Sequence, residues 1–153
     1  MKALRQGAQI LLSTYFCNHL SGEPISIGRA DYILRNYAIP VTEDNYKPCE
    51  EEQDIFDNFW VKVGYKANFN KSFFEDHQKW GHMAIGGNSG PYPQGGSPNQ
   101  WGQQIVVGGS TPDDKPFYNS VTIACLIAAR RIPVNAPCLN LRLHPDTPKF
   151  IMD

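Results

Sequence analysis

The sequence predicts an α/β fold, with helices in the N-terminal half and a strand–helix–strand unit in the C-terminal half. Apolar residues recur at three- and four-residue spacing over Ala3–Leu20 and again over Ile55–Asn68, the period of a helix with one buried face. Gln103–Gly109 is a short apolar run closed by two glycines, as a buried strand requires. Cys138–His144 alternates strictly, with Leu139, Leu141 and Leu143 against Asn140, Arg142 and His144, the period of a strand with one polar face. Between the two strands, Phe117–Arg131 is apolar on nearly every side and reads as a helix laid on a sheet. A helical crossover makes the flanking strands parallel and the connection right-handed. One such unit does not complete a sheet. The earlier helices also carry more apolar face than two strands cover, so the expected architecture is a partial α/β barrel or a piece of an open sheet.

Each element follows from its own signals. In the first helix Ala3, Leu4, Ala8, Leu11, Leu12, Tyr15 and Phe16 share a face, and Ser21-Gly22-Glu23-Pro24 ends it, because proline disfavours helical geometry before it. Ile25 and Ile27 alternate with Ser26 ahead of Gly28, and Arg29–Tyr37 reads as a short helical or extended arm. Arg29 and Asp31 are close enough to join a buried ion pair that fixes this arm, with binding of a substrate carboxylate as a secondary role. The second long helix starts either at Thr42, followed by Glu43 and Asp44, or at the acidic run Glu50–Asp54. Its stripe of Ile55, Phe59, Val63 and Ala67, widened by Phe56 and Trp60, is core rather than a ring-binding surface. Gly81–Gly109 then holds nine glycines and three prolines. Met83, Tyr92 and Trp101 argue against a solvated linker, so this is expected to be a structured loop lining something. Thr111-Pro112-Asp113-Asp114 is a turn, and Arg130 and Arg131 suit a helix C-terminus. Phe150-Ile151-Met152 reads as the start of a further helix after Pro148, suggesting a truncated fold. The organisation expected is one domain, helical over 1–75, a glycine-rich pocket loop over 81–103 and a strand–helix–strand unit over 104–144.

Composition excludes several functions. With 14 Lys and Arg against 15 Asp and Glu, the net charge of -1 leaves no basic stripe for nucleic acid or an anionic membrane. No segment reaches the roughly 20 apolar residues of a membrane span, and Met1–Leu12 lacks the features of a signal peptide, so a cytoplasmic location is expected. Cys17, Cys49, Cys125 and Cys138 show no CxxC spacing and read as reduced thiols, Cys125 and Cys138 as small buried hydrophobes. His77 and His82 flank Trp80 without a third ligand, so no zinc site is expected. Gly108-Gly109 is not followed by GxGxxG or GK(S/T), which weakens a nucleotide-binding reading.

Four segments, in order, resemble the pyruvate formate-lyase-like domain of the glycyl radical enzymes. Gly22–Tyr37 is similar to that family's S-x-GR-x-D segment, and Asp54–Asn68 to its long helix with a Trp-Val-Lys core. Gln103–Gly109, with Asp113 and Asn119, resembles its Q-x-(I/V)-x-(I/V)-GG … PDG … N-x-(L/V)-(S/T) pattern. Pro137–Pro148 resembles its P-x-L-x-(L/V)-R-x-H-x-x-(T/S)-P strand and turn. Two departures stand out: Asp114 takes the place of the usual glycine in the Pro-Asp-Gly turn, and Lys115-Pro116-Phe117-Tyr118 replaces small residues.

The resemblance implies a partial α/β barrel of the glycyl radical enzyme type, and a radical lyase or acyltransferase assembled from a longer protein. In that family a radical SAM activating enzyme generates a glycyl radical, which oxidises a loop cysteine whose thiyl radical attacks substrate. No Gly-Cys-x-Glu occurs here, so no catalytic residue is carried over, and the radical glycine and its cysteine are expected in missing sequence. No other cofactor is expected in this chain. What the resemblance assigns here is substrate shape: Trp80, Met83, Tyr92, Trp101 and Gln103, ahead of the second-half strand, would line a pocket suited to an apolar or aromatic substrate. With Asn135-Ala136-Pro137-Cys138-Leu139, these favour the branch that adds hydrocarbons to fumarate, the benzylsuccinate and alkylsuccinate synthase type. Decarboxylase, dehydratase and formate acyltransferase branches are the alternatives, and a homodimer or hetero-oligomer is implied for the full-length protein. A non-enzymatic module gripping a small ligand through Trp101 and Tyr92 is the competing class.

Overall fold

The computed structural model describes residues 1–19, 26–69, 104–132 and 137–152. Its elements are α1 (Lys2–His19), β1 (Gly28–Arg29), α2 (Ala30–Ile33), α3 (Glu50–Phe69), β2 (Gln104–Gly108), α4 (Ser120–Arg131), β3 (Cys138–Arg142) and a single 3-10 turn at Lys149–Ile151. The strands form one parallel sheet in the order β1-β2-β3. The β2–α4–β3 crossover expected from the sequence is present, and β1 adds a strand that the sequence pattern did not announce.

Both long helices form where their stripes place them. Leu4, Ala8, Leu12 and Tyr15 of α1 are buried, as are Ile55, Phe56, Phe59, Trp60 and Val63 of α3, and they join Ile105, Val107, Val121, Ala124, Cys125 and Ala128 in one core. α3 packs on α4 and α1 on α3, so the helices stack in layers on one side of the sheet. Of the two candidate starts for α3 the acidic one is realised: Glu50, Glu51 and Glu52 occupy its first turn, where carboxylates meet the positive end of the helix dipole. Thr42 instead closes a tight bridge with Asn45. Among the described residues no helix is long and apolar enough to cross a membrane.

Three local expectations are corrected. α4 begins at Ser120 rather than Phe117, because Asn119 caps it: its side chain accepts from the Thr122 N–H while the Thr122 hydroxyl accepts from the Asn119 N–H. β3 stops at Arg142, so Leu143 leaves the sheet 59% exposed instead of sharing a face with Leu139 and Leu141. Cys138 is exposed and not a core hydrophobe, since the strand alternation turns it outward with Asn140 and Arg142. All four cysteines are free, and Cys125 alone is buried.

Candidate functional site: the open face of the sheet

Strand register sorts the sheet residues into two faces. Gly28, Ile105 and Leu139 form one cross-strand row; Ile105 and Val107 in this set are completely buried under the helices. The alternate rows are Arg29–Val106–Asn140, Gln104–Cys138 and Gly108–Arg142. On that side Gln104, Cys138, Asn140 and Arg142 are exposed. The sheet therefore has one apolar, helix-covered face and one open polar face carrying a guanidinium and two amides. In parallel α/β sheets ligands collect at the carboxyl ends of the strands. Here that edge is Arg29, Gly108-Gly109 and Arg142.

A buried polar node fixes this edge. Asp31, which follows β1, is fully buried. Its Oδ2 accepts from the Gly108 N–H at 2.6 Å and from the Thr122 hydroxyl at 2.8 Å, and its Oδ1 accepts from the Tyr32 N–H at 2.7 Å. The Asn119 amide donates to the Asp31 carbonyl at 3.0 Å. One side chain thus ties α2, the end of β2 and the start of α4 together. Arg29 extends the node: its Nε lies 3.9 Å from Asp31 Oδ1 and its Nη1 donates to the Ser110 carbonyl at 2.7 Å. The guanidinium carbon sits 4.9 Å from the Tyr32 ring centre and 5.4 Å from that of Phe117, a cation–π clamp. The buried ion pair expected from Arg29 and Asp31 is present, and its geometry is that of a framework. Burial raises the Asp31 pKa, against the lowering effects of the Gly108 and Thr122 hydrogen bonds and the Arg29 charge. The same burial, with the Asp31 charge, lifts the Cys125 thiol far above its ordinary range and leaves it inert.

The motif residues of the sequence converge on this frame. Ser26 donates to the Gln104 carbonyl at 2.9 Å and accepts from the Gly28 N–H, which registers β1 on β2. Asp114 has φ 54, so aspartate holds the left-handed position that glycine would take, a conformation it tolerates better than most residues. The turn is closed by Asp114 N–H to Thr111 carbonyl at 3.0 Å. The Thr147 hydroxyl accepts from the His144 N–H and donates to the His144 carbonyl, His144 Nδ1 accepts from the Asp146 N–H, and the Tyr118 hydroxyl pairs with that of Thr147. His144 is therefore a turn former with 10% of its side chain exposed, whereas Arg142 has no ion-pair partner among the described residues.

The residues expected to line the substrate pocket, Trp80, Met83, Tyr92, Trp101 and Gln103, lie outside the described residues, as does most of the glycine-rich loop. The sequence pattern does not single out a second buried carboxyl. Glu52 on α3 is completely buried, accepts from the Ser120 hydroxyl, and lines a cavity of about 170 Å³ with Ile39, Asn45 and Cys49. Desolvation raises its pKa, opposed by the Ser120 bond. Its acidic neighbours disguised it, since only the register of α3 distinguishes Glu52 from exposed Glu50 and Glu51. Cys49-Glu50-Glu51 repeats a Cys-x-Glu spacing, yet it heads α3 in the helical layer, with Glu51 bound to Arg5 at 3.2 Å, away from the open face. Among the described residues no group of three His, Cys, Asp or Glu converges on a metal position.

Comparison with curated proteins and with solved structures gave no match. The family model described as pyruvate formate lyase-like matches residues 2–153. That span takes in both long helices, the sheet and the node at its carboxyl edge, and the chain belongs to the pyruvate formate lyase-like family of glycyl radical enzymes.

Proposed function

We propose that the open sheet face forms part of the wall of a radical reaction chamber, and that the holoenzyme adds an apolar or aromatic hydrocarbon to fumarate. The observation that carries the reading is the contrast between the two faces: one packs Ile105 and Val107 beneath the helices, while the other presents Gln104, Asn140 and Arg142 beside a carboxyl edge tied by Asp31. Such a wall holds and orients substrate and limits water, which is what a protein must supply around a radical. The apolar part of the chamber is assigned to Trp80, Met83, Tyr92, Trp101 and Gln103 on their sequence chemistry. The reacting cysteine and the radical glycine come from polypeptide beyond these residues, and a radical SAM activating enzyme installs the radical. The assembled enzyme is a homodimer or hetero-oligomer in the cytoplasm.

The test is turnover by the native holoenzyme, purified without oxygen and activated with S-adenosylmethionine and reductant. A methyl-substituted arene or an alkane with fumarate should give a substituted succinate. Turnover of an arylacetate, a diol or pyruvate with coenzyme A, and none of the hydrocarbon, would replace the branch and leave the family intact.

A further inference from the structure

We infer that Arg142, its stem packed over Gly109, is a carboxylate-binding residue at the carboxyl edge of the sheet, and that its guanidinium anchors an anionic substrate there. Three observations carry this. Arg142 is exposed on the open face, and among the described residues no carboxylate pairs with it. Its side chain is nonetheless placed: a Cβ on Gly109 would meet Arg142 Cβ at 3.1 Å, Nε at 3.5 Å and Cδ at 3.6 Å, so the stem lies across a glycine that has φ 97. A guanidinium held against backbone loses less side-chain entropy on binding than one free in solvent. Finally, Arg29 donates to the Ser110 carbonyl, bringing a second cation to this backbone segment. Its Nε and Nη2 are buried without hydrogen-bond partners, so it contributes field rather than contact. The local acids are already engaged or remote: Asp31 accepts three hydrogen bonds, and Asp114 lies 3.6 Å from His144 Nε2. One accessible guanidinium, with the neutral amides of Gln104 and Asn140 on the same face, matches the single charge of a carboxylate better than a phosphate dianion. The assignment of that carboxylate to fumarate rests on the function proposed above.

The test titrates the ¹⁵N-labelled chain with succinate, acetate and inorganic phosphate at fixed ionic strength. Succinate should shift the Gly109 amide and the Arg142 Nε–H signals saturably. Arg142→Gln should weaken that binding about 10- to 100-fold, and Arg142→Lys, which keeps the charge but loses the fork, should fall between. The side chain is exposed, so both variants should keep the wild-type amide dispersion. No saturable shift, a shift unchanged in Arg142→Gln, or tighter binding of phosphate than of succinate overturns the inference. Acetate binding as tightly as succinate keeps the Arg142 subsite and removes the dicarboxylate. Conversely, a holoenzyme that forms substituted succinates with an unchanged KM for fumarate in Arg142→Gln removes the subsite and keeps the proposed reaction.

Discussion

Replacing Asp31 by alanine removes a side chain that touches β1, β2 and α4 together. Its loss orphans the Gly108 and Tyr32 N–H groups, while the Thr122 hydroxyl retains a weak alternative in Asn119 Oδ1 at 3.4 Å. A buried donor without a partner costs about 1–3 kcal/mol. Stranding a buried guanidinium by deleting its counter-charge costs about 3–5 kcal/mol, and Arg29, with 19% of its side chain exposed, falls toward the lower end. The two terms share atoms and do not add fully, so the expected loss is about 3–6 kcal/mol, a large share of the ~5–15 kcal/mol that holds a domain together. Asp31→Asn keeps the shape but faces one of the N–H donors with its own NH2, and should lose less. In urea, with a slope of about 1–3 kcal/mol per molar, the Asp31→Ala midpoint should fall by more than about 1 M at an unchanged slope. A midpoint within about 0.3 M of wild type would show that the node does not hold the sheet edge. The open face would then have no fixed frame.

Two further outcomes follow from the same geometry. Glu52 has a folded-state pKa raised above its ordinary 4.5 by burial, so the folded form binds the proton more tightly than the unfolded form. Its ionisation therefore lowers stability as pH rises from 4.5 through the folded pKa; Glu52→Gln should flatten this fall, so the stability difference between variant and wild type should grow from pH 4.5 upward. Parallel curves in pH-dependent urea melts would refute the assignment. Gly28 and Gly108 share φ 74, yet a Cβ at Gly28 meets nothing within 4 Å, whereas at Gly108 it meets the Arg142 carbonyl at 2.7 Å and Tyr118 Cε1 at 2.8 Å. Gly28→Ala should then show only backbone strain, about 1–2 kcal/mol, and Gly108→Ala clearly more. Equal losses in thermal melts would mean that φ alone matters and that the approach of β3 to β2 is not tight.

Periodicity revealed what is periodic. The stripes of α1 and α3 and the alternation of β3 each repeat long enough to be read, and the structure returns them within a few residues. β1 escaped because two residues carry no period, and its pairing depends on partners about 77 positions away, Gly28 with Ile105 and Arg29 with Val106. The late start of α4 was readable from Asn119 and Thr122 as a capping pair, but the apolar Phe117 drew the boundary outward. Composition makes Cys138 a core hydrophobe, whereas the alternation of β3 places it on the exposed face with Asn140 and Arg142. Glu52 shows the converse limit. A glutamate in an acidic run reads as a solvated helix start, and only the packing of α3 on α4 sends one of the three inward to Ser120.

The motif residues carry a further lesson about what a resemblance measures. Ser26, Arg29, Asp31, Gly108, Asn119 and Thr122 lie far apart in sequence, and five of them bond into or immediately around one node. Their types follow from local demands: a carboxylate to collect three donors, a capping amide, a hydroxyl that accepts and donates at once, and a glycine whose Cβ would strike β3. None of these demands involves a substrate. A pattern built from such residues identifies the frame, and through it the family, while leaving the reaction to side chains the frame presents. On the open face those are Gln104, Asn140 and Arg142, which the frame holds but does not consume. Specificity among related reactions is therefore sought in residues outside the frame's hydrogen bonds; Arg142, itself a motif residue, stands on that face with no carboxylate partner among the described residues.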